Sequence, residues 1–266
     1  KEVRAGTIIS DAGVRNTYGR LLSKSVREKH GFEAALEQVP PSVAHVSLYI
    51  GLNDTAESLG ITKNNRWIYP GEDHNASVEN YLADPDNNPL PVAYLSFPSA
   101  KDPAFQSRFP GKGTIEVVGL APYEWFSKWE DTKWMKRGED YEALKEKFTQ
   151  RLLEPLLKEY PQLEGKLAYM ELSTPLSTKN FCNFENGEIY GLTHTPERFR
   201  QKWLRPKTPI KGLYLTGADI CSCGVGGAVF GGVLQVSAML NRDMRSAIAK
   251  RAKELHQPYV GEPVTA

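Results

Sequence analysis

The residues best suited to chemistry lie near the C-terminal end, where Gly212 to Leu240 read GLYLTGADICSCGVGGAVFGGVLQVSAML. An apolar run of strand character ends in glycine, a turn of small residues follows, and a small-residue helix begins. A strand end that opens into glycines and then a helix offers free backbone N–H groups and a positive helix end to an anion. Gly217, Gly224, Gly226 and Gly227 would let the backbone approach a bulky, flat, phosphate-bearing ligand. Asp219 is the one charged residue of the turn, suited to accept hydrogen bonds from a sugar-like hydroxyl. The competing reading is close packing of helix on strand through Gly226, Gly227, Gly231 and Gly232. Gly224-Val225-Gly226 begins like GxGxxG, but position 229 is Val and too little chain follows to finish a βαβ unit, so this is not a self-contained dinucleotide fingerprint.

Other chemistries find less. The cysteines are Cys182, Cys221 and Cys223, too few for a disulfide framework. The Cys-Ser-Cys pair lacks a second Cys/His pair nearby, so free thiols are favoured over a metal and no metal site is expected. There is no GxSxG elbow, no GxxxxGK[ST] loop and no HExxH. No residue stands out as a catalytic acid or base. His45 sits on one face of an alternating run with Val43, Ser47 and Tyr49; it is the histidine best placed to face a cavity, against an ordinary strand histidine.

The elements that must position these residues are legible from periodicity. Strands are expected at 6–10, 42–52, 66–69, 91–99, 113–122, 166–175 and 212–217. Asp11 reads as an N-cap for a helix carrying Val14, Tyr18, Leu21 and Leu22. The region from 53 to 91, rich in Asn, Asp, Pro and Gly, reads as loops apart from its short strand. Pro122 opens a helix signal, YEWFSKWEDTKWM, whose Trp125, Phe126 and Trp129 either pack under a sheet or form an aromatic lip for a membrane or a long apolar substrate. The clearest helix is 139–160, with Tyr141, Leu144, Phe148 and Leu152 on one face and Pro155 expected to kink or end it.

The bulk numbers bound the class. With 40% hydrophobic and 24% charged residues the composition is that of an ordinary globular chain, and a net charge of +1 argues against nucleic acid as partner. No apolar run approaches the roughly 20 residues that span a bilayer. The expected setting is cytoplasmic or peripheral on a membrane.

The segment from Gly212 to Leu240 resembles the C-terminal flavin-binding segment of the phytoene desaturase, carotenoid isomerase and retinol saturase group of FAD-dependent oxidoreductases, within the amine oxidase-like superfamily. TIISDAGVRNTYGRLL, LLEPLLKEYPQLEGKL and LSTPLSTKNFCNFENGEIYGLTHTPERF fit the same family in the same order. The resemblance implies an α+β fold: a mixed, mainly antiparallel substrate-domain sheet with helices, plus terminal strand-helix pieces of a Rossmann-like FAD domain. It implies FAD-domain pieces at 1–20 and 205–245, a substrate domain at 21–204, and a C-terminal helix and tail at 246–266. The family's opening GxGxxG unit is absent and is expected upstream of Lys1. By position, Gly217, Ala218 and Asp219 would lie along the pyrophosphate and ribityl chain of FAD. Val225, Gly226, Gly227 and Ala228 would start the helix aimed at the flavin, and Gly187, Tyr190 and Gly191 would lie near its ring or the substrate mouth. The implied substrate is an apolar polyene, oxidised, reduced or isomerised at a carbon–carbon bond. The alternatives are a non-catalytic domain binding an apolar ligand, and an amine oxidase-like flavoenzyme with a polar substrate.

Overall fold

A computed structural model describes residues 2–255. Its strands are β1 (Ile8–Ser10), β2 (His45–Leu52), β3 (Arg66–Ile68), β4 (Ala93–Ser96), β5 (Gly113–Leu120), β6 (Leu167–Ser173) and β7 (Leu213–Leu215). Its principal helices are α1 (Lys24–His30), α2 (Phe32–Glu37), α3 (His74–Ala83), α4 (Glu139–Glu159), α5 (Pro175–Cys182), α6 (Pro196–Arg200), α7 (Gly224–Met239) and α8 (Arg245–Leu255). The fold class is α+β, as expected. The chain divides into two compact units, a central one over Val43–Ile189 and a terminal one made of the residues up to Ser42 and from Tyr190.

The central unit is an antiparallel sheet in the order β3-β4-β5-β2-β6. Alternation in β2 and β5 decides its faces. Val46, Leu48 and Ile50 stand opposite Gly119, Val117 and Ile115, and all but the glycine are buried apolar side chains. Helix α4 covers this face with Phe148, Leu152 and Leu156. Gly119 is where it comes closest: a Cβ there would fall 2.9 Å from Leu152 Cδ2. Pro155 does not end α4, which runs on to Glu159. Proline removes one helical hydrogen bond, and the burial of Leu152, Leu153 and Leu156 around it holds the helix together.

Two local expectations change. The segment after Pro122 forms two short 3₁₀ turns, Tyr123–Trp125 and Ser127–Trp129, instead of a helix. Residues three apart eclipse in a 3₁₀ turn, so Phe126 and Trp129 enter the core together; they are 0% and 7% exposed. The aromatic lip is therefore core packing. Helix α3 lies within the stretch expected to be loop, opened by the Asp73 carboxylate, which accepts from the Ala76 N–H at 2.9 Å. Tyr81 is its only buried residue, so no apolar stripe announces it.

In the terminal unit β1 and β7 pair in parallel, Ile8 opposite Leu213 and Ser10 opposite Leu215. Val14, Tyr18, Phe32, Leu36, Val39, Leu192, Leu204, Leu215 and Ile220 form its core. Phe32, Leu36, Leu192 and Leu204 bury their side chains with the two strand-helix pieces, so 21–42 and 190–204 belong to this compact unit. The final helix begins at Arg245; residues 256–266 of the expected helix and tail lie outside the described residues. Among the described residues no helix is long and apolar enough to cross a membrane.

Candidate functional site

In the terminal unit β7 delivers the chain into the glycine-rich turn, and α7 leaves it with Cys223 as N-cap. The glycines there do different things. Gly217 has φ 87°, a left-handed conformation, and a Cβ on it would collide with the Asp11 carboxylate. A Cβ on Gly227 would collide with the Ser222 carbonyl, and one on Gly231 with the backbone of Gly217. These three are glycine because the chain packs on itself. Gly226 is different: a Cβ there meets nothing within 4 Å. Val225 beside it is 83% exposed, and Ala228 is half-buried. The open part of the turn is thus the first turn of α7.

Asp219 is a structural hub. Its Oδ2 accepts from the Val14 N–H at 2.7 Å and its Oδ1 from the Leu192 N–H at 3.3 Å. It therefore caps the helical turn beginning at Val14, the role expected of Asp11. It also explains Gly191, which has φ 65° and whose Cβ would strike the same carboxylate. One side chain ties together three segments far apart in sequence.

Arg198, 2% exposed, is the residue that sequence reasoning missed. Its guanidinium donates to the Leu192 carbonyl at 2.8 Å, the Ala218 carbonyl at 2.8 Å and the Asp219 carbonyl at 3.1 Å. Burial pulls its pKa down and the Asp219 charge opposes that. The His194 ring stacks its polar edge against the same guanidinium, 3.1 Å from Nε2, and accepts the Cys223 N–H at Nε2, 2.9 Å away. Burial and the Arg198 charge lower the His194 pKa. A neutral ring with Nε2 as acceptor and the proton on Nδ1 satisfies the Cys223 bond. Arg198 and His194 hold both sides of the turn; the only sequence signal was their place in the HTPERFR run. Cys221 is half-buried and Cys223 exposed, both as free thiols, and no cluster of metal-ligating side chains occurs among the described residues.

In the central unit the sheet face away from α4 carries His45, Ser47 and Tyr49 on β2. Tyr49 stands opposite Glu116 on β5 and Glu171 on β6. Burial raises the Tyr49 pKa and the Glu116 charge adds to it. A cleft of about 810 Å³ opens beside this face, lined by Tyr49, Trp134, Tyr141, Tyr169 and Phe181 among others. Trp134 and Phe181 meet edge to face with ring centres 5.2 Å apart. The carboxylates of the cleft are already paired: Lys145 Nζ lies 3.0 Å from Glu171 and 3.7 Å from Glu142. Burial pulls the Lys145 pKa down, but the Glu171 hydrogen bond and the two negative charges leave it raised. His45 is half-buried, its Nδ1 is buried without a partner, and burial lowers its pKa to about 4. Gly187 is also in this unit; its φ is 60° and its Cβ would collide with the Pro175 carbonyl, so the turn itself requires glycine. Tyr190 and Gly191 lie in the terminal unit.

Over 259 residues the chain is 37% identical to an all-trans-retinol 13,14-reductase of Danio rerio, a match covering 95% of this chain and 43% of that protein. Over most of its own length the chain is similar to part of an all-trans-retinol 13,14-reductase, an oxidoreductase. The human all-trans-retinol 13,14-reductase is 36% identical over 245 residues, covering 90% of this chain and 40% of its own length. A second Danio rerio relative, named an inactive all-trans-retinol 13,14-reductase, is 32% identical over 271 residues, covering 97% of this chain and 44% of that protein. The chain thus spans less than half the length of these relatives. No family model matches it. A solved oxidoreductase of Methanosarcina mazei superposes with a TM-score of 0.47 at 16% identity over 90% of this chain and 43% of that one, a likeness too slight to assign anything.

Proposed function

We propose that this chain is the C-terminal part of a flavin-dependent oxidoreductase that reduces a carbon–carbon double bond of a retinoid. The observation that carries the reading is the 37% identity to an all-trans-retinol 13,14-reductase, sustained over 95% of the chain. The open first turn of α7 supports FAD as the cofactor, because a large flat group needs an approach free of side chains and Gly226 leaves one. The residues that would hold it are the backbone of Gly217, Ala218 and Asp219 and the turn Val225–Gly226–Gly227–Ala228, with Tyr190 and Gly191 on the same unit. When bound, a flavin supplies the hydride chemistry of such a reduction. The chain's own residues then shape the turn. Arg198 fixes the Ala218 and Asp219 carbonyls, His194 fixes the Cys223 N–H, and Asp219 fixes the strand-helix entry at Val14.

The aromatic cleft of the central unit suits a flat apolar ligand. Its carboxylates Glu142 and Glu171 share the cleft with two cations, Lys145 and Arg137, and do not favour a cationic amine. The relative named inactive supports a second reading, a chain that binds an apolar ligand without turning it over. An absorption spectrum of the purified full-length protein, followed by anaerobic incubation of the reduced protein with all-trans-retinol and chromatography of the product, tests both. Flavin bands and loss of retinol are expected. Flavin without retinol loss supports the binding reading, and absence of flavin after FAD is added refutes the first.

A further inference from the structure

We infer that the basic-aromatic segment 200–211 of the terminal unit, in which Lys202 and Lys207 flank Trp203 at one hollow and Arg200, Arg205 and Lys211 are exposed nearby in sequence, docks on an anionic lipid surface. The chain as a whole is balanced, with 33 basic and 32 acidic residues, yet from Arg198 to Lys211 no acidic residue occurs. Arg198 points inward and is spent on carbonyls, whereas the other five cations are exposed. Among the described residues no ion pair reaches Lys202, Arg205, Lys207 or Lys211, and Arg200 has only Glu197 at 3.8 Å. Like charges gathered without acidic partners repel one another, and an opposing layer of anions relieves that repulsion.

The aromatic groups select the kind of anion. Lys202 and Lys207 border a shallow hollow of about 560 Å³ whose floor is Trp203, His30 and Phe32. Trp203 is half-buried, its indole N–H donating to Gln201 Oε1 at 2.9 Å, and Phe199 just before the patch is 51% exposed. Aromatic rings set among lysines and arginines match the headgroup layer of a membrane, where rings meet the acyl boundary and cations meet phosphate and carboxylate. A second exposed aromatic tip, Trp134–Met135 between Lys133 and Lys136, lacks this charge excess, because Glu130, Asp131, Glu139 and Asp140 lie close in sequence. Charge therefore points to the first surface. The inference is independent of the substrate proposed above.

The test is co-flotation of the full chain with vesicles of phosphatidylcholine alone and of phosphatidylcholine with phosphatidylserine. Binding is expected only with phosphatidylserine, and it falls as salt rises. The double variant Lys202→Glu/Lys207→Glu should weaken binding about tenfold or more, while Lys133→Glu/Lys136→Glu, an equal change in net charge, should leave it within twofold. Circular dichroism confirms that both variants are folded. Equal binding to neutral vesicles, an equal loss in both double variants, or no flotation with either vesicle would overturn the inference.

Discussion

The sharpest test of the glycine-rich turn sets Gly231→Ala against Gly226→Ala. Both sit in α7, both gain one methyl group, and in an isolated helix both would gain up to about 1 kcal/mol of stability. The surroundings separate them. At position 231 the new Cβ would lie 2.9 Å from the Gly217 carbonyl carbon and 3.0 Å from its nitrogen, where ordinary contacts run near 3.4–4 Å. Backbone cannot rotate away as a side chain can, so α7 must shift off β7 and the turn. Overpacking of this kind costs roughly 1–3 kcal/mol, and a loss of that size lowers the unfolding midpoint by about 2–4 °C for each kcal/mol in a chain this long. At position 226 the methyl meets nothing, so the midpoint should hold or rise slightly. If a flavin lies against that turn, Gly226→Ala in the full-length protein should lose flavin while keeping its midpoint without cofactor. Differential scanning fluorimetry and the ratio of flavin to protein absorbance read the two effects. Equal midpoints for the two variants would refute the packing argument, and full flavin occupancy in Gly226→Ala together with Gly226→Val would refute the ligand argument.

Other outcomes follow from the same contacts. His45 has its folded pKa lowered to about 4 by burial. Since the unfolded chain takes up that proton near pH 6.5, the stability from keeping the ring neutral is complete above pH 6.5 and is lost as pH falls toward 4, up to about 3 kcal/mol; urea titrations across that range should show a slope that His45→Leu flattens. Arg198→Ala leaves the Leu192, Ala218 and Asp219 carbonyls without their donor and should cost about 2–4 kcal/mol in denaturant unfolding, with Arg198→Lys recovering part because one ammonium cannot span all three. Phe126→Ala should cost about 3–5 kcal/mol as a core truncation and leave membrane binding unchanged, separating it from the lysine variants of the basic surface.

Much of this protein was legible from the sequence alone because the signals are local. Alternation of period two located β2 and β5, and helical spacing of Tyr141, Phe148 and Leu152 located α4, since each pattern has only one way to bury its apolar side. The strand, turn and small-residue helix at 212–240 were likewise written in residue types. Elements lacking a stripe were not legible: α3 is held by one cap and one buried tyrosine, and the 3₁₀ turns at 123–129 arise because Phe126 and Trp129 must share a core that is assembled from distant strands.

The sequence by itself set a glycine-rich turn between a strand and a small-residue helix; only the tertiary structure decided that Gly217, Gly227 and Gly231 must be glycine. Each faces backbone or a carboxylate brought in from elsewhere, while Gly226 faces open space. The same holds for Asp219 and Arg198. Asp219 stands out in sequence as the one charge of its turn and Arg198 does not, and the amides and carbonyls they satisfy belong to residues up to 205 positions away. No local pattern encodes that pairing. It follows from closing the chain around one core, where every buried polar group must find its partner across sequence distance.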